Sequence, residues 1–314
     1  MASSTLTAGP GLALERRSVF TTLGIQFWDF ALDKPIEGGL EVVARRPGTS
    51  YPPTTAFRTG SGFYGFQGLP GLHDVEYPPP GPNSAASSPP LTLNFVITAN
   101  DPLGRFLPTL FGVDLPLPYR GLFLSKGTGS PADIDARAYL FSAPTRPVAV
   151  GMAAVRANLR DVAHDQPARY AAVRVTLDGQ TWTGIADDEG RALVTFPSPL
   201  VRRLSLGSPP GSGQGSPSGM TWPVSVHVLY EPSRFRLLLA DTPDVEWPWA
   251  EIPSLKSILD GQHPALIWQT EAGPPVAEWT GVLTYGEDLV LRTTLTNPAE
   301  LSPVLLISQT ATSP

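Results

Sequence analysis

Residues 184–199 read GIADDEGRALVTFPSP and place Asp187, Asp188 and Glu189 in a row beside Gly190. Three adjacent acids suggest a cation site or a proton relay. A calcium loop of the EF-hand type needs acids at alternate positions, a central glycine and a bidentate glutamate at its twelfth position. Consecutive side chains of an extended chain point apart, so these three cannot converge on one ion unaided. The residue types fit a tight turn instead, with acids in water at its rim and Gly190 at positive φ. A weak cation site is the alternative reading of the same residues. His73, His164, His227 and His263 stand at no metal-ligand spacing to one another. His164-Asp165 reads as a solvated pair in a polar loop. His227 falls opposite the valines of its strand and reads as a surface or interface residue. Asp133 and Asp135 form a carboxylate pair of the kind glycoside hydrolysis uses, but two residues apart in a linker they have no rigid support. The sequence holds no G-x-S-x-G elbow, no Walker sequence and no cysteine. The expectation is a protein with no catalytic residue, no metal ligand and no cofactor, hence not an enzyme.

The tryptophans are the other lead. Trp247-Pro248-Trp249 would set two indoles on one side of an extended segment, with Trp222, Trp268 and Trp279 nearby in sequence. Such rings bury a tail against its own domain, anchor a partner subunit, or stack on a sugar. Trp247, Trp249, Trp268, Trp279 and His227 are the interface candidates.

The elements that must hold these residues are strands. Thirty-six prolines and 30 glycines exceed a fifth of the 314 residues, which disfavours long helices. Charged residues are 16%, against about 25% in an average protein. A less strongly hydrated surface suits lasting protein contacts. A net charge of −6 offers no basic footprint for nucleic acid. No stretch approaches the roughly 18 apolar residues of a membrane helix. The N-terminus lacks a charged start and apolar core, so no signal peptide is expected, and the expected location is cytoplasmic, with release as part of an extracellular particle as a further step.

The predicted fold is all-β: two tandem β-sandwich domains and a C-terminal extension of one short helix and a hairpin. Residues 1–17 form an N-terminal arm. The first sandwich spans 18–125, with alternating strands at 39–45 and 91–98 around a glycine-rich aromatic segment at 59–71. The second spans 126–240, beginning near Ala136, with strands at 152–159, 171–177, 181–186, 192–196 and 222–230. Asp178-Gly179 marks a hairpin turn, and 234–240 is the expected partner of 222–230. The Pro/Ser tracts at 77–90 and 205–219 read as long loops inside the domains. In the extension, 241–314, Ser254 caps a helix that carries Leu255, Ile258 and Leu259 on one face and ends at Gly261. A hairpin of 282–286 and 289–295 follows, and the whole extension is expected to pack on the second domain.

The strand, DG turn, strand and ADDEGRALVTFP unit, from Thr183 to Pro197, resembles the carboxypeptidase regulatory-like or transthyretin-like β-sandwich. That family carries G-x-A-D-x-x-G followed by a strand ending in aromatic-Pro. A fainter copy is expected at 57–71, which keeps the glycine without the aspartate. The resemblance implies a fold and no reaction. FWDFALDKPIEGGLEVVA (27–44), YGFQGLPGLHDVE (64–76), DPLGRFLP (101–108), YLFSAPTRPVAVGMAAVRA (139–157) and LVLRTT (289–294) also resemble proteins encoded beside phage-tail-like contractile injection systems. That resemblance implies a structural or accessory component of the baseplate, fibre or cap region, with other protein subunits as partners. Two functional classes follow: a non-enzymatic subunit of a large assembly, or a surface module that binds protein or cell-surface glycan.

Overall fold

The computed structural model describes residues 23–73, 92–115, 138–199, 220–296 and 302–309. The expected arm at 1–17, the tracts at 77–90 and 205–219, and Asp133 and Asp135 lie outside the described residues. Leu72 and Leu93, on either side of the first tract, belong to one core, and Phe196 and Val224, on either side of the second, belong to another.

The first block contains β1 (Gly24–Ile25), β2 (Phe27–Asp29), β3 (Lys34–Pro35), β4 (Glu41–Arg45), β5 (Thr54–Thr55), β6 (Phe57–Arg58), β7 (Tyr64–Gly65), β8 (Leu93–Asn100), β9 (Thr109–Leu115) and β10 (Ala138–Leu140). One sheet runs β5-β4-β8-β9, faced by two smaller sheets, β1-β7-β6 and β10-β2-β3. Alternation works as expected on the inner face, where Leu93, Phe95 and Ile97 meet Val42 and Ala44. The outer face differs from the one-sided expectation. Val96 and Leu110 are also buried, because the chain around Leu239, Trp249 and Ile252 lies over them. The block boundary moves as well. Residues 138–140, expected in the second sandwich, pair in parallel with Phe27–Asp29 and bury Ala138 and Leu140 in the first core.

The second block contains β11 (Met152–Asp161), β12 (Gln166–Pro167), β13 (Ala172–Leu177), β14 (Gln180–Ile185), β15 (Arg191–Pro197), β16 (Thr221–Leu229), the helix α1 (Leu255–Asp260), β17 (Leu266–Ile267), β18 (Trp279–Thr284), β19 (Leu289–Leu291) and β20 (Leu305–Ser308). One sheet runs β14-β13-β16-β18. The facing sheet is organised on the ten-residue β11, which pairs with β12, β15, β19 and β20. The β13–β14 turn is the expected two-residue hairpin, with Asp178 at φ +50° and Gly179 at +76°.

Two expected pairings are wrong. Residues 234–240 do not flank β16. Pro232 opens a 3₁₀ turn over Pro232–Arg234, and Leu239 then turns to the outer face of the first sheet. The place beside β16 goes to β18. Nor do 282–286 and 289–295 form a hairpin. The chain reverses at Gly286, but β18 joins β16 while β19 joins β11 in the opposite sheet. Leu283 and Leu291 thereby enter the same core from its two sides, which a hairpin within one sheet would not allow. The C-terminal residues therefore complete both sheets.

The helix forms as its sequence dictates. The Ser254 hydroxyl accepts from the Ser257 N–H, and Gly261 closes the last turn. Leu255 and Ile258 pack with Phe141 of the first block and Ile185 of the second, so α1 sits between the two. Among the described residues no helix is long and apolar enough to cross a membrane.

The register places Val226 in the core and its neighbour Ser225 on the outer face. Val226→Asp should cost several kcal/mol by burying an unpaired carboxylate, whereas Ser225→Asp should change stability by less than about 0.5 kcal/mol. Denaturant melts of both variants check this, and equal damage would contradict the register.

Candidate functional site

The acids of the 184–199 stretch are placed by the β14–β15 reversal, which carries the chain from one sheet to the other. Asp187 is buried. Its Oδ1 accepts from the N–H groups of Glu189 (2.9 Å) and Arg191 (2.8 Å), and its Oδ2 accepts from Arg191 Nε (2.9 Å). Arg191 Nη2 lies 2.8 Å from the same oxygen, and Arg191 Nη1 lies 2.7 Å from Glu189 Oε2. The hydrogen bond to Asp187 raises the Arg191 pKa above its ordinary value. Gly190 has φ +77°, and a Cβ there would stand 2.4 Å from the Leu159 carbonyl. The turn needs glycine for its dihedral and for its approach to β11. Asp187 thus spends its acceptors on the turn and its arginine, but it does so buried, not in water at the rim where the residue types place it, because its oxygens are filled from within the turn. Among the described residues no group of three or more His, Asp or Glu side chains is arranged to hold a metal ion.

The same device occurs in the first block. Asp101 Oδ2 accepts from the Arg105 N–H (2.8 Å) and Nε (2.9 Å), Oδ1 accepts from Arg105 Nη2 (3.1 Å), and Gly104 has φ +65°. Burial pushes the Asp101 carboxyl up, but the hydrogen bonds and charge of Arg105 outweigh it and hold the pKa below the ordinary value. The signal was present in sequence as D-x-x-G-R, once at DPLGR (101–105) and once at DDEGR (187–191). The copy expected at 57–71 is instead the short pair β6–β7.

His164 differs from its expected pairing. Its Nδ1 lies 2.6 Å from Asp161 Oδ2, while Asp165 binds Arg160 at 2.7 Å. Asp161 also accepts from the Ala163 N–H, so it closes a turn.

A cleft of about 80 Å³ lies between the blocks, lined by Leu110, Phe141, Tyr170, Ile185, Asp188 and Ile252 among others. Ligand pockets for drug-sized molecules run to about 300–1,000 Å³, so this cleft takes a side chain at most. Burial, followed by the negative charge of Asp188, pushes the Tyr170 hydroxyl up to about 12. It remains a neutral phenol at neutral pH and offers no base.

The interface candidates separate. Trp247 is 72% exposed. Trp249 packs against the cluster of Val96, Leu110, Leu239 and Ile252. Residues 246–251 form turns, with the Trp249 N–H bonded to the Glu246 carbonyl, so the two indoles do not share one side of an extended strand. Trp268 is 1% exposed and belongs inside the chain, where the Thr293 hydroxyl donates to its carbonyl. It is withdrawn as a surface anchor. Trp279 is half-buried against the second core, with its indole over the bare Cα of Gly281. His227 lies on the outer sheet face, with Nδ1 3.1 Å from the Ala277 carbonyl and Nε2 3.8 Å from Glu278.

That outer face was missed in the sequence. Register places Thr181, Thr176, Ser225 and Thr280 side by side across β14, β13, β16 and β18. It is a row of small, uncharged side chains ending at an open strand, with Val282 on the same strand 55% exposed. Strand alternation alone cannot show it, because the row depends on four registers at once.

No family model and no curated protein matches the chain. Among solved structures, the Bacillus anthracis TIE protein is similar over 93% of this chain and 34% of its own, with 9% identity and a TM-score of 0.22. A leucine-rich repeat protein from Bacteroides thetaiotaomicron is similar over 92% of this chain and 26% of its own, with 10% identity and a TM-score of 0.21. The chain thus spans about a third or less of those proteins' length.

If the acids serve only the turn, Asp188→Asn with Glu189→Gln should shift stability by less than about 0.5 kcal/mol, and calcium should not raise the melting temperature. Gly190→Ala should be far more damaging, because strain at positive φ costs about 1 kcal/mol or more and the Leu159 clash adds to it. Thermal melts with and without calcium check all three statements. A calcium-dependent rise that the double variant abolishes would overturn the turn reading.

Proposed function

We propose that the chain is a non-enzymatic structural subunit of a larger protein assembly. The observation that carries this reading is an open, uncharged strand edge on a rigid sandwich, in a molecule whose buried acids are committed to turns. Exposed strands bind other chains through their backbone groups, and small neutral side chains bring little desolvation cost to such contacts. Exposed Trp247 adds an aromatic anchor of the kind that dominates contact energy, at about 2 kcal/mol or more when buried by a partner. The likeness of 27–44, 64–76, 101–108, 139–157 and 289–294 to proteins of contractile injection systems favours the baseplate, fibre or cap region of such a particle as the assembly. In that setting the subunit is built in the cytoplasm and leaves with the particle.

A surface module for glycan is the second reading, favoured by the exposed Trp247 indole. The narrow cleft counts against it, because a sugar ring would have to rest on the outside of the molecule.

The two tryptophans of 247–249 should now behave differently. Trp247→Ala should leave the melting temperature of the isolated chain unchanged and weaken its incorporation into particles. Trp249→Ala should lower the melting temperature, since truncating a packed aromatic costs about 3 kcal/mol or more when fully buried and less when half-buried. Quantifying both variants in purified particles checks this. Particles that never contain the protein would overturn the assembly reading. Trp247-dependent retention on polysaccharide, by a chain that stays out of particles, would favour the glycan reading.

A further inference from the structure

We infer that two copies of this chain join through β18, edge to edge and antiparallel, with Val282 facing Val282 of the second copy. The pairing of β16 with β18 fixes which backbone groups of β18 are free for this. Tyr285 donates to Met220, which makes that pair a hydrogen-bonded one. Bonded pairs alternate along an antiparallel ladder. Leu283, Gly281 and Trp279 therefore bond to β16, opposite Trp222, Val224 and Val226. Thr280, Val282 and Thr284 direct their N–H and C=O groups away from the sheet. The position of Gln269 agrees, since its Nε2 donates to the outward Thr280 carbonyl at 3.2 Å. The Thr284 carbonyl accepts from Glu287 in the following turn. Among the described residues, no bond reaches the Val282 N–H or carbonyl.

This edge lacks the devices that normally guard one. The run Trp279–Tyr285 reads WTGVLTY, with no lysine, no proline and no charge. Val282 and Tyr285 are exposed. The edge is also complementary to itself. Centring the pair on Val282 sets Thr280 against Thr284 of the second copy, Val282 against Val282, and Thr284 against Thr280. Every outward backbone group then meets another outward group, while the carbonyls of Thr280 and Thr284 share their second lone pair. Shifting the register by one step either way leaves one of the three residues unmatched. Glu278 and Glu287 flank the strand, and this register sets Glu278 opposite Gly286 and Glu287 opposite Ala277, so the two acids stand one residue apart across each end of the joint. The two four-stranded sheets would run on as one, with the hydroxyl row continued across the joint. The inference supplies the first subunit contact that the assembly reading requires. It rests on that reading only for its purpose, because the pairing is a property of the isolated chain.

The absence of cysteine gives a clean test. Residues directly opposite in a hydrogen-bonded antiparallel pair have Cα atoms about 5.5 Å apart, within disulfide reach. Under mild oxidation of the full chain, Val282→Cys should form a covalent dimer. Thr280→Cys alone and Thr284→Cys alone should stay monomeric, since like positions would stand roughly 13 Å apart along the strands. Mixing those two variants should restore the cross-link. In sedimentation of the cysteine-free chain, Val282→Pro should weaken dimerisation at least tenfold while keeping the melting temperature, because it removes only an outward N–H on an edge strand. A monomeric Val282→Cys chain, or equal cross-linking by all three single variants, would overturn the inference. Because every readout is on the isolated chain, incorporation into particles still judges the assembly reading separately.

Discussion

Two buried aspartates, each clamped to the arginine four residues on, hold the reversals on which the sheets depend. Asp101 ties the exit of β8 and Asp187 the exit of β14. A buried carboxylate is tolerated only when its acceptors are filled, and a charged partner strengthens those bonds. Each turn fills them from its own backbone and one guanidinium, with glycine supplying the left-handed step. Because Gly190 abuts the Leu159 carbonyl, the second clamp also fixes how the β14–β15 crossing sits on β11. The remaining strands of the second block are then set in place around β11 and β16.

That constraint shapes what the surface can do. Asp187 and Asp101 spend their acceptors inside their turns. Tyr170 in the cleft stays protonated. Among the described residues the surface offers a strand edge with unmatched groups at Val282, a row of small uncharged side chains across four strands, and the exposed indole of Trp247. β18 and β19 close the two sheets from opposite sides, so the exposed strand belongs to the same core as its neighbours.

The sequence showed the class and the local pieces. Alternation located β4, β8, β11, β13, β15 and β16, the Asp178-Gly179 turn was read directly, and Ser254 and Gly261 bounded the helix. What alternation cannot carry is partner choice. Residues 289–291 are as strand-like beside β18 as beside β11, and only the second core, needing apolar cover on both sheets, decides between them. Residues 138–140 were misplaced for the same reason, since a three-residue parallel strand takes its identity from Phe27–Asp29 far away in sequence. Trp268 and Trp247 look alike in sequence because an indole suits a core and a surface equally. The repeat is legible in the aspartate, glycine and arginine at 101–105 and not in the glycines and aromatics of 57–71, which form only the short pair β6–β7.

Asp187 works through Arg191 on the fold and not on a ligand. A double-mutant cycle of Asp187→Asn and Arg191→Met, read by chemical denaturation, tests it directly. A structural clamp predicts a coupling of about 1–2 kcal/mol, unchanged by added calcium or magnesium. A coupling near zero, with Asp187→Asn as stable as the parent and a divalent cation stabilising the parent alone, would contradict it.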